Sequence, residues 1–409
     1  MWWKMKKLYY RSYQFVMRSI SKVLRFREPE LLMGAGSLIE LPAIVKSHGV
    51  DKVLIVTDNV LINLGMVDDL LESLNKNDIE YFLFDEVQPN PTVDNIEAAR
   101  NQYLEKGCNG IIAFGGGSSI DCAKAAAARV TNSNMTLRQM KGPLKVRKPL
   151  PPLFAVPTTS GTGSETTVAA IVTDPSTHEK YAIMDTKLTP LAAVLDPKLT
   201  MGLPPHITAA TGMDALTHAI EAYIGRNGTE YTDRNAEEAV KLIFENLEKV
   251  YTNGNDVEAR SHMLLASYKA GNAFTRAYVG YVHAIAHTLG GLYGVPHGLA
   301  NAVVLPYVLE YFDGCIYKKL ACLAAAAGLG DMSEPAEQLA RKFIETIKSM
   351  NVRMQIPSGL KEINEQDIPL IVKRVLKEGN PGYPVPKIMN EKECTEILKK
   401  LVIKGANKQ

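Results

Sequence analysis

The sequence predicts two domains in tandem, an α/β domain built on a parallel sheet and then an all-helical domain. Three observations lead there. Between about residues 31 and 196, short apolar runs rich in β-branched residues alternate with helix-length segments, the pattern of parallel strands joined by crossover helices. The Pro-rich turn at 196–205 (DPKLTMGLPP) then interrupts the chain, and beyond it segments such as 235–251 and 258–274 repeat apolar residues at helical spacing. Finally, 409 residues exceed the usual size of one domain. The division expected is 1–30 for a basic N-terminal extension, 31–196 for the α/β domain and 197–409 for the helical one.

In the extension, residues 1–26 carry seven Lys or Arg and no acid, interleaved with Trp2, Trp3, Tyr9, Tyr10, Tyr13 and Phe15. The whole chain has a net charge of +2, so the remainder is acidic by five charges. That body gives no electrostatic reason to hold nucleic acid. A basic aromatic helix suits an anionic membrane surface, but packing on the body or on a neighbouring subunit is the preferred expectation. A secretory signal is not expected, because the segment has no apolar run of the needed length. Cys108, Cys122, Cys315, Cys322 and Cys394 form no CxxC pair and are too sparse for a disulfide framework, which fits reduced thiols in a cytoplasm.

The α/β part reads as strands at VLIV (53–56), YFLF (81–84), GIIAF (110–114) and LFAVP (153–157). After the third run, Gly115, Gly116 and Gly117 lead into Ser118, Ser119, Ile120 and Asp121 and an alanine-rich helix. Glycines there let a pyrophosphate approach the N–H groups of a helix N-terminus. The spacing is neither GxGxxG nor Walker A, and a plain strand-to-helix turn is the alternative. Asp58 follows the first run; its carboxylate would accept from adenosine ribose hydroxyls and favour NAD over NADP, or would merely cap the next helix. PTTSGTGSE (157–165) is a hydroxyl-rich loop at the carboxyl end of a strand, where parallel sheets bind ligands.

In the helical part, residues 277–309 contain no Asp, Glu, Lys or Arg. Three histidines, Asn301, Pro296 and several glycines interrupt this stretch, so a buried polar site is expected rather than a membrane span. His283 and His287 are four apart on a helix and share one face, and the Gly-Val-Pro turn can bring His297 back to them. Asp214 and His218 in MDALTHAIE have the same spacing. One carboxylate and several imidazoles on two apolar helices suit a borderline divalent ion such as Fe²⁺ or Zn²⁺. HAIAH lacks the glutamate of HExxH, which disfavours peptidase chemistry. The other four histidines, His48, His178, His206 and His262, read as surface or capping residues.

GGGSSID, PTTSGTGSE, GMDALTHAIEAY and VHAIAHTLGGLYGVPHG, in this order, resemble the iron-dependent (group III) alcohol dehydrogenases, a family that includes lactaldehyde reductase, 1,3-propanediol dehydrogenase and butanol dehydrogenases. The resemblance covers residue 30 to the end. It implies a dehydroquinate-synthase-like architecture, a nucleotide-binding α/β domain followed by a metal-binding helical one, in a cytoplasmic homodimer or larger homo-oligomer. It implies Asp214, His218, His283 and His297 as ligands of Fe²⁺ (or Zn²⁺), with His287 beside the metal as a proton relay. NAD contacts would come from Asp58, Asn90, Gly116, Gly117, Ser118, Ser119, Asp121, Thr158, Thr159, Thr162, Lys180, Leu199 and Leu203. Phe274 would line the pocket of a small primary alcohol, diol or aldehyde. Two features depart from the family pattern: the basic extension is additional, and NPGYPVPKI (380–388) replaces the usual loop there. Competing readings are a zinc polyol dehydrogenase, a dehydroquinate-synthase-like lyase, and a nucleotide- or metal-sensing binding protein.

Overall fold

The computed structural model describes residues 2–176 and 179–403; His178 lies outside them. Tertiary contacts divide the chain into two units. One comprises Arg25–Leu203 and Gly254–Gly271; the other comprises Met1–Leu24, Pro204–Asn253 and Asn272–Gln409.

The first unit is the α/β one. Its strands are β1 (Glu30–Met33), β2 (Lys52–Val56), β3 (Glu80–Phe84), β4 (Gly110–Gly115), β5 (Gly142–Pro143), β6 (Leu153–Pro157), β7 (Ala169–Asp174), β8 (Glu179–Met184) and β9 (Ala192–Leu195). Six form one sheet in the order β1-β9-β6-β4-β2-β3, every neighbouring pair parallel, while β5, β8 and β7 make a small second sheet. The four runs read from the sequence are β2, β3, β4 and β6.

Continuous apolar runs arise because both faces of the large sheet are covered. Along β2, β4 and β6, Leu54, Val56, Ile111, Ala113, Leu153 and Ala155 join one buried cluster. Their alternating neighbours Val53, Ile55, Ile112, Phe114, Phe154 and Val156 join another. Each Val, Leu, Ile or Phe among them contributes about 1.5–3 kcal/mol by leaving water, and each Ala less. Ala123 and Ala125–Ala128, on the helix Gly117–Thr131, lie in the first cluster, where small side chains let the helix approach the sheet closely.

The strand order sets the place for a ligand. From β2 the chain moves outward to β3 and then returns to the other side of β2 as β4, so connections diverge between β2 and β4. Crevices of this kind, at the carboxyl ends of the strands, bind ligands in open parallel sheets. Asp58 follows β2, and Gly115 ends β4 with Gly116 and Gly117 after it, at that edge.

The second unit is helical. Pro205–Ile224 is buried on nearly all sides, as a helix must be when its only charged positions late in the sequence are Asp214 and Glu221. The uncharged stretch forms two helices, Tyr281–Tyr293 and His297–Phe312, broken at Gly294 (φ 70°). No described helix is long and apolar enough to cross a membrane. A Cβ on Gly298 would collide with the Ala210 carbonyl oxygen, so this glycine lets the start of His297–Phe312 press against Pro205–Ile224. The extension forms the helix Trp2–Ser21, with Gln14 buried against the rest of the unit.

Candidate active site

In the α/β unit, the glycine and hydroxyl loops leave adjacent strands, with Gly115 in register with Pro157. Gly115 has φ 144°, a conformation that glycine adopts without strain. A Cβ on Gly117 would lie 2.7 Å from Thr162 Cγ2, and one on Gly116 would lie 3.5 Å from Thr159 Oγ1. The backbone of the loop is thus open to these hydroxyls. Gly117 begins the helix whose free N–H groups suit a phosphate. Asn90 N–H donates to Ser118 Oγ (3.1 Å) and Lys180 Nζ donates to Asn90 Oδ1 (2.8 Å), so these three gather at the same loop.

Other expected cofactor residues have structural partners. Asp58 caps the helix Asn59–Asn63, its Oδ1 accepting from Leu61 N–H. Asp121 accepts from Ser164 Oγ (2.7 Å) and from Ile171 N–H (3.1 Å), tying the glycine helix to the hydroxyl loop. Thr158 N–H donates to Gly115 O, and Ser119 is buried. Leu199 sits in the second apolar cluster, while Leu203 is half-exposed.

Sequence reasoning passed over Lys124. It is fully buried, and its Nζ donates to the carbonyls of Ser164, Thr167 and Ala169 at 2.6–3.0 Å. Burial pulls the ammonium down to about 8. A lysine inside an otherwise alanine-rich, buried helix was the available signal.

In the helical unit, Asp214, His218, His283 and His297 offer ligand atoms that all lie within 4.8 Å of one another. Asp214 Oδ1 is 3.4 Å from His297 Nε2 and 3.8 Å from His283 Nε2. The imidazoles of His218 and His283 stack at 4.4 Å. His287 lies beside this group, its ring 5.1 Å from that of His297. Phe274 stacks on His218 at 4.0 Å, forming an apolar wall there.

Buried Glu221 orients the cluster. Its carboxylate accepts from Gly280 N–H and Val282 N–H, both at 2.7 Å, and pairs with His283 Nδ1 at 2.6 Å. A proton on Nδ1 leaves Nε2 as the lone-pair nitrogen facing Asp214. Burial pushes Glu221 up to about 7, and burial with the neighbouring imidazoles holds His283 well below its usual range. His283 Nε2 is buried with no hydrogen-bond partner among the described residues. An orphaned buried lone pair facing a carboxylate and other imidazoles is costly without a cation to share, so the donor set fits a divalent metal. Asn301 Nδ2 donates to Asp214 Oδ1 (2.6 Å), fixing the carboxylate. On the far side, His287 Nδ1 pairs with Glu378 at 2.6 Å.

Comparison with protein families matches residues 29–197 to the iron-containing alcohol dehydrogenases and residues 208–402 to the C-terminal domain of that family. The chain belongs to the iron-containing alcohol dehydrogenase family. Among the relatives of this chain, the NAD-dependent methanol dehydrogenase of Bacillus methanolicus is 36% identical over 91% of this chain and 98% of its own. The NADPH-dependent butanol dehydrogenase of Clostridium saccharobutylicum is 35% identical over 92% and 97%. The crystal structure of a 1,3-propanediol oxidoreductase superposes with a TM-score of 0.88 at 36% identity, covering 92% of this chain and all of that one.

Glu221 and Glu378 were not singled out from the sequence. Glu221 carried a signal, an acid seven residues after Asp214 on the same apolar helix. Glu378, 91 residues from His287, carried none.

Proposed function

We propose that this alcohol dehydrogenase interconverts small primary alcohols or diols and their aldehydes by hydride transfer with NAD(H). The convergence of Asp214, His218, His283 and His297 carries the reading. These four residues would hold Fe²⁺, with Zn²⁺ as the alternative ion. When bound, such an ion supplies Lewis-acid stabilisation at the substrate oxygen, and the nicotinamide supplies the two-electron acceptor.

The chain's own residues do the rest. Glu221 and Asn301 fix the directions of His283 and Asp214, so the donors are set before substrate arrives. Phe274 offers an apolar face to the substrate's carbon chain. Oxidation of an alcohol releases a proton together with the hydride, and His287, adjacent to the cluster and hydrogen-bonded to Glu378, is the group to carry it.

The glycine loop, with Ser118, Asn90, Lys180, Thr159 and Thr162 around it, supports a dinucleotide pyrophosphate site. Relatives of both coenzyme types occur; the carboxylate of Asp58 supports NAD, because a 2′-phosphate would be repelled. Free cysteines support a reducing cytoplasm. The edge strand β1, with Leu31 and Met33 exposed, supports a homodimer that covers it. The apolar wall at Phe274 favours short alkyl alcohols over charged sugar acids.

The test follows NADH absorbance with methanol through butanol and 1,3-propanediol, in protein reloaded with Fe²⁺ or Zn²⁺. Alcohol-dependent NADH formation that needs the ion is expected. No turnover of any alcohol or aldehyde with either ion and either coenzyme would sink the reading.

A further inference from the structure

The helix Trp2–Ser21 and the loop 380–388 meet in the helical unit, and the loop reaches His287 through Tyr383 and Glu378. Residues 381–386 (PGYPVP) contain three prolines, so this segment has carbonyl acceptors in excess of N–H donors. Two extension side chains donate to its carbonyls, one of which, Tyr383 O, also accepts from Val385 N–H (2.9 Å). Gln14 Nε2 donates to the carbonyls of Pro381 (3.2 Å) and Tyr383 (2.7 Å). Arg11 donates to the carbonyls of Val385 (2.7 Å) and Pro386 (2.8 Å), and Arg11 Nη1 also donates to Gln14 Oε1 (2.7 Å). Gln14 is buried and Arg11 half-buried, so these bonds are partly shielded from water, where an unpaired carbonyl costs more.

The segment they hold carries Tyr383, whose hydroxyl donates to Glu378 Oε1 (2.8 Å). The same oxygen pairs with His287 Nδ1 (2.6 Å). Both ends of the loop converge on one hydroxyl two residues before His283: Tyr281 Oη donates to Asn380 Oδ1 (2.9 Å) and accepts from Met389 N–H (3.0 Å). The middle of the loop depends on the extension and on Arg226 N–H, which donates to Pro384 O.

We propose that the N-terminal extension is a positioning element of the active site. Arg11 and Gln14 hold the 381–386 loop, the loop sets Tyr383 on Glu378, and Glu378 keeps the His287 proton on Nδ1, leaving Nε2 as the basic nitrogen. The proposal rests on the reading of His287 as proton carrier. It gives a role to a helix that precedes the family match, which begins at residue 29, and to the proline-rich loop that the helix fits.

The experiment is a double-mutant cycle in the full-length, zinc-loaded enzyme, combining Arg11→Ala/Gln14→Ala with Glu378→Ala. Nitrogen-15 shifts of labelled histidines report the His287 tautomer independently of turnover. Arg11→Ala/Gln14→Ala is expected to lower kcat about tenfold, with KM for the alcohol within about twofold, bound zinc unchanged, and the His287 signal shifted from a single Nδ1–H form to a mixture. With Glu378→Ala already present, the same pair should cost less than about twofold. A wild-type His287 signal in the Arg11→Ala/Gln14→Ala protein, costs that multiply independently, or zinc lost along with activity would each overturn the proposal. If the wild-type enzyme turns over no alcohol, it is the functional reading that fails, and the nitrogen shifts alone decide whether the extension holds His287.

Discussion

The carboxylate of Glu221 pairs with His283 Nδ1 at 2.6 Å and also accepts the N–H groups of Gly280 and Val282. One buried acid therefore fixes both the ring and the first turn of the helix that carries it. Glu221→Gln keeps the size but removes the charge, and it is expected to weaken metal affinity by about 10–100-fold. Competition with a chromophoric chelator measures this; wild-type affinity would show that Glu221 serves the helix turn alone.

Gly117→Val places methyl groups where Thr162 stands, since even a Cβ would lie 2.7 Å from Thr162 Cγ2. NADH binding, followed by fluorescence, is expected to weaken at least about tenfold, because the backbone no longer approaches the phosphates. Metal content should stay at the wild-type level. Unchanged NADH affinity would remove the glycine loop from the coenzyme site.

Asp58 has two roles that a single substitution can separate. Asp58→Ser keeps an acceptor for Leu61 N–H, so thermal stability should change little. Loss of the carboxylate should raise kcat/KM with NADP relative to NAD by about tenfold or more. A fixed coenzyme ratio would leave Asp58 as a helix cap.

Lys124→Met strands three carbonyl acceptors and is expected to destabilise the α/β unit by about 3 kcal/mol, read from denaturant unfolding. The pH dependence follows from burial, which lowers this ammonium from 10.5 to about 8. Between those values the unfolded chain holds a proton that the folded chain has released, so the contribution of Lys124 to stability should grow as pH rises through that window. A gap between wild type and variant that is flat from pH 8 to 10 would contradict the lowered value.

The strands legible in the sequence were those with unbroken runs of large apolar residues, including the half-buried edge strand β3; β9, wholly buried but built of Ala192, Ala193, Val194 and Leu195, was not singled out. β2, β4 and β6 have wholly or nearly wholly apolar interiors and stand out as unbroken runs. β7 and β8 alternate buried and half-exposed positions and pair with one another, and β1 is a four-residue edge strand; none left so clear a run. The metal cluster was legible because helical spacing of four places Asp214 with His218, and His283 with His287, on one face each. What spacing cannot show is contact between distant segments. Glu378 reaches His287 across 91 residues, and Gln14 reaches Tyr383 across 369.

Asp214, His218, His283 and His297 are the centre of the proposed chemistry. The most direct measurement is the metal content of purified His283→Ala beside wild type, by elemental analysis after loading with Fe²⁺ or Zn²⁺, with alcohol-dependent NADH formation on the same samples. The account predicts about one ion per chain in the wild type and near-complete loss of both ion and turnover in a variant that keeps its circular dichroism. Full turnover by a His283→Ala protein without bound metal would contradict it.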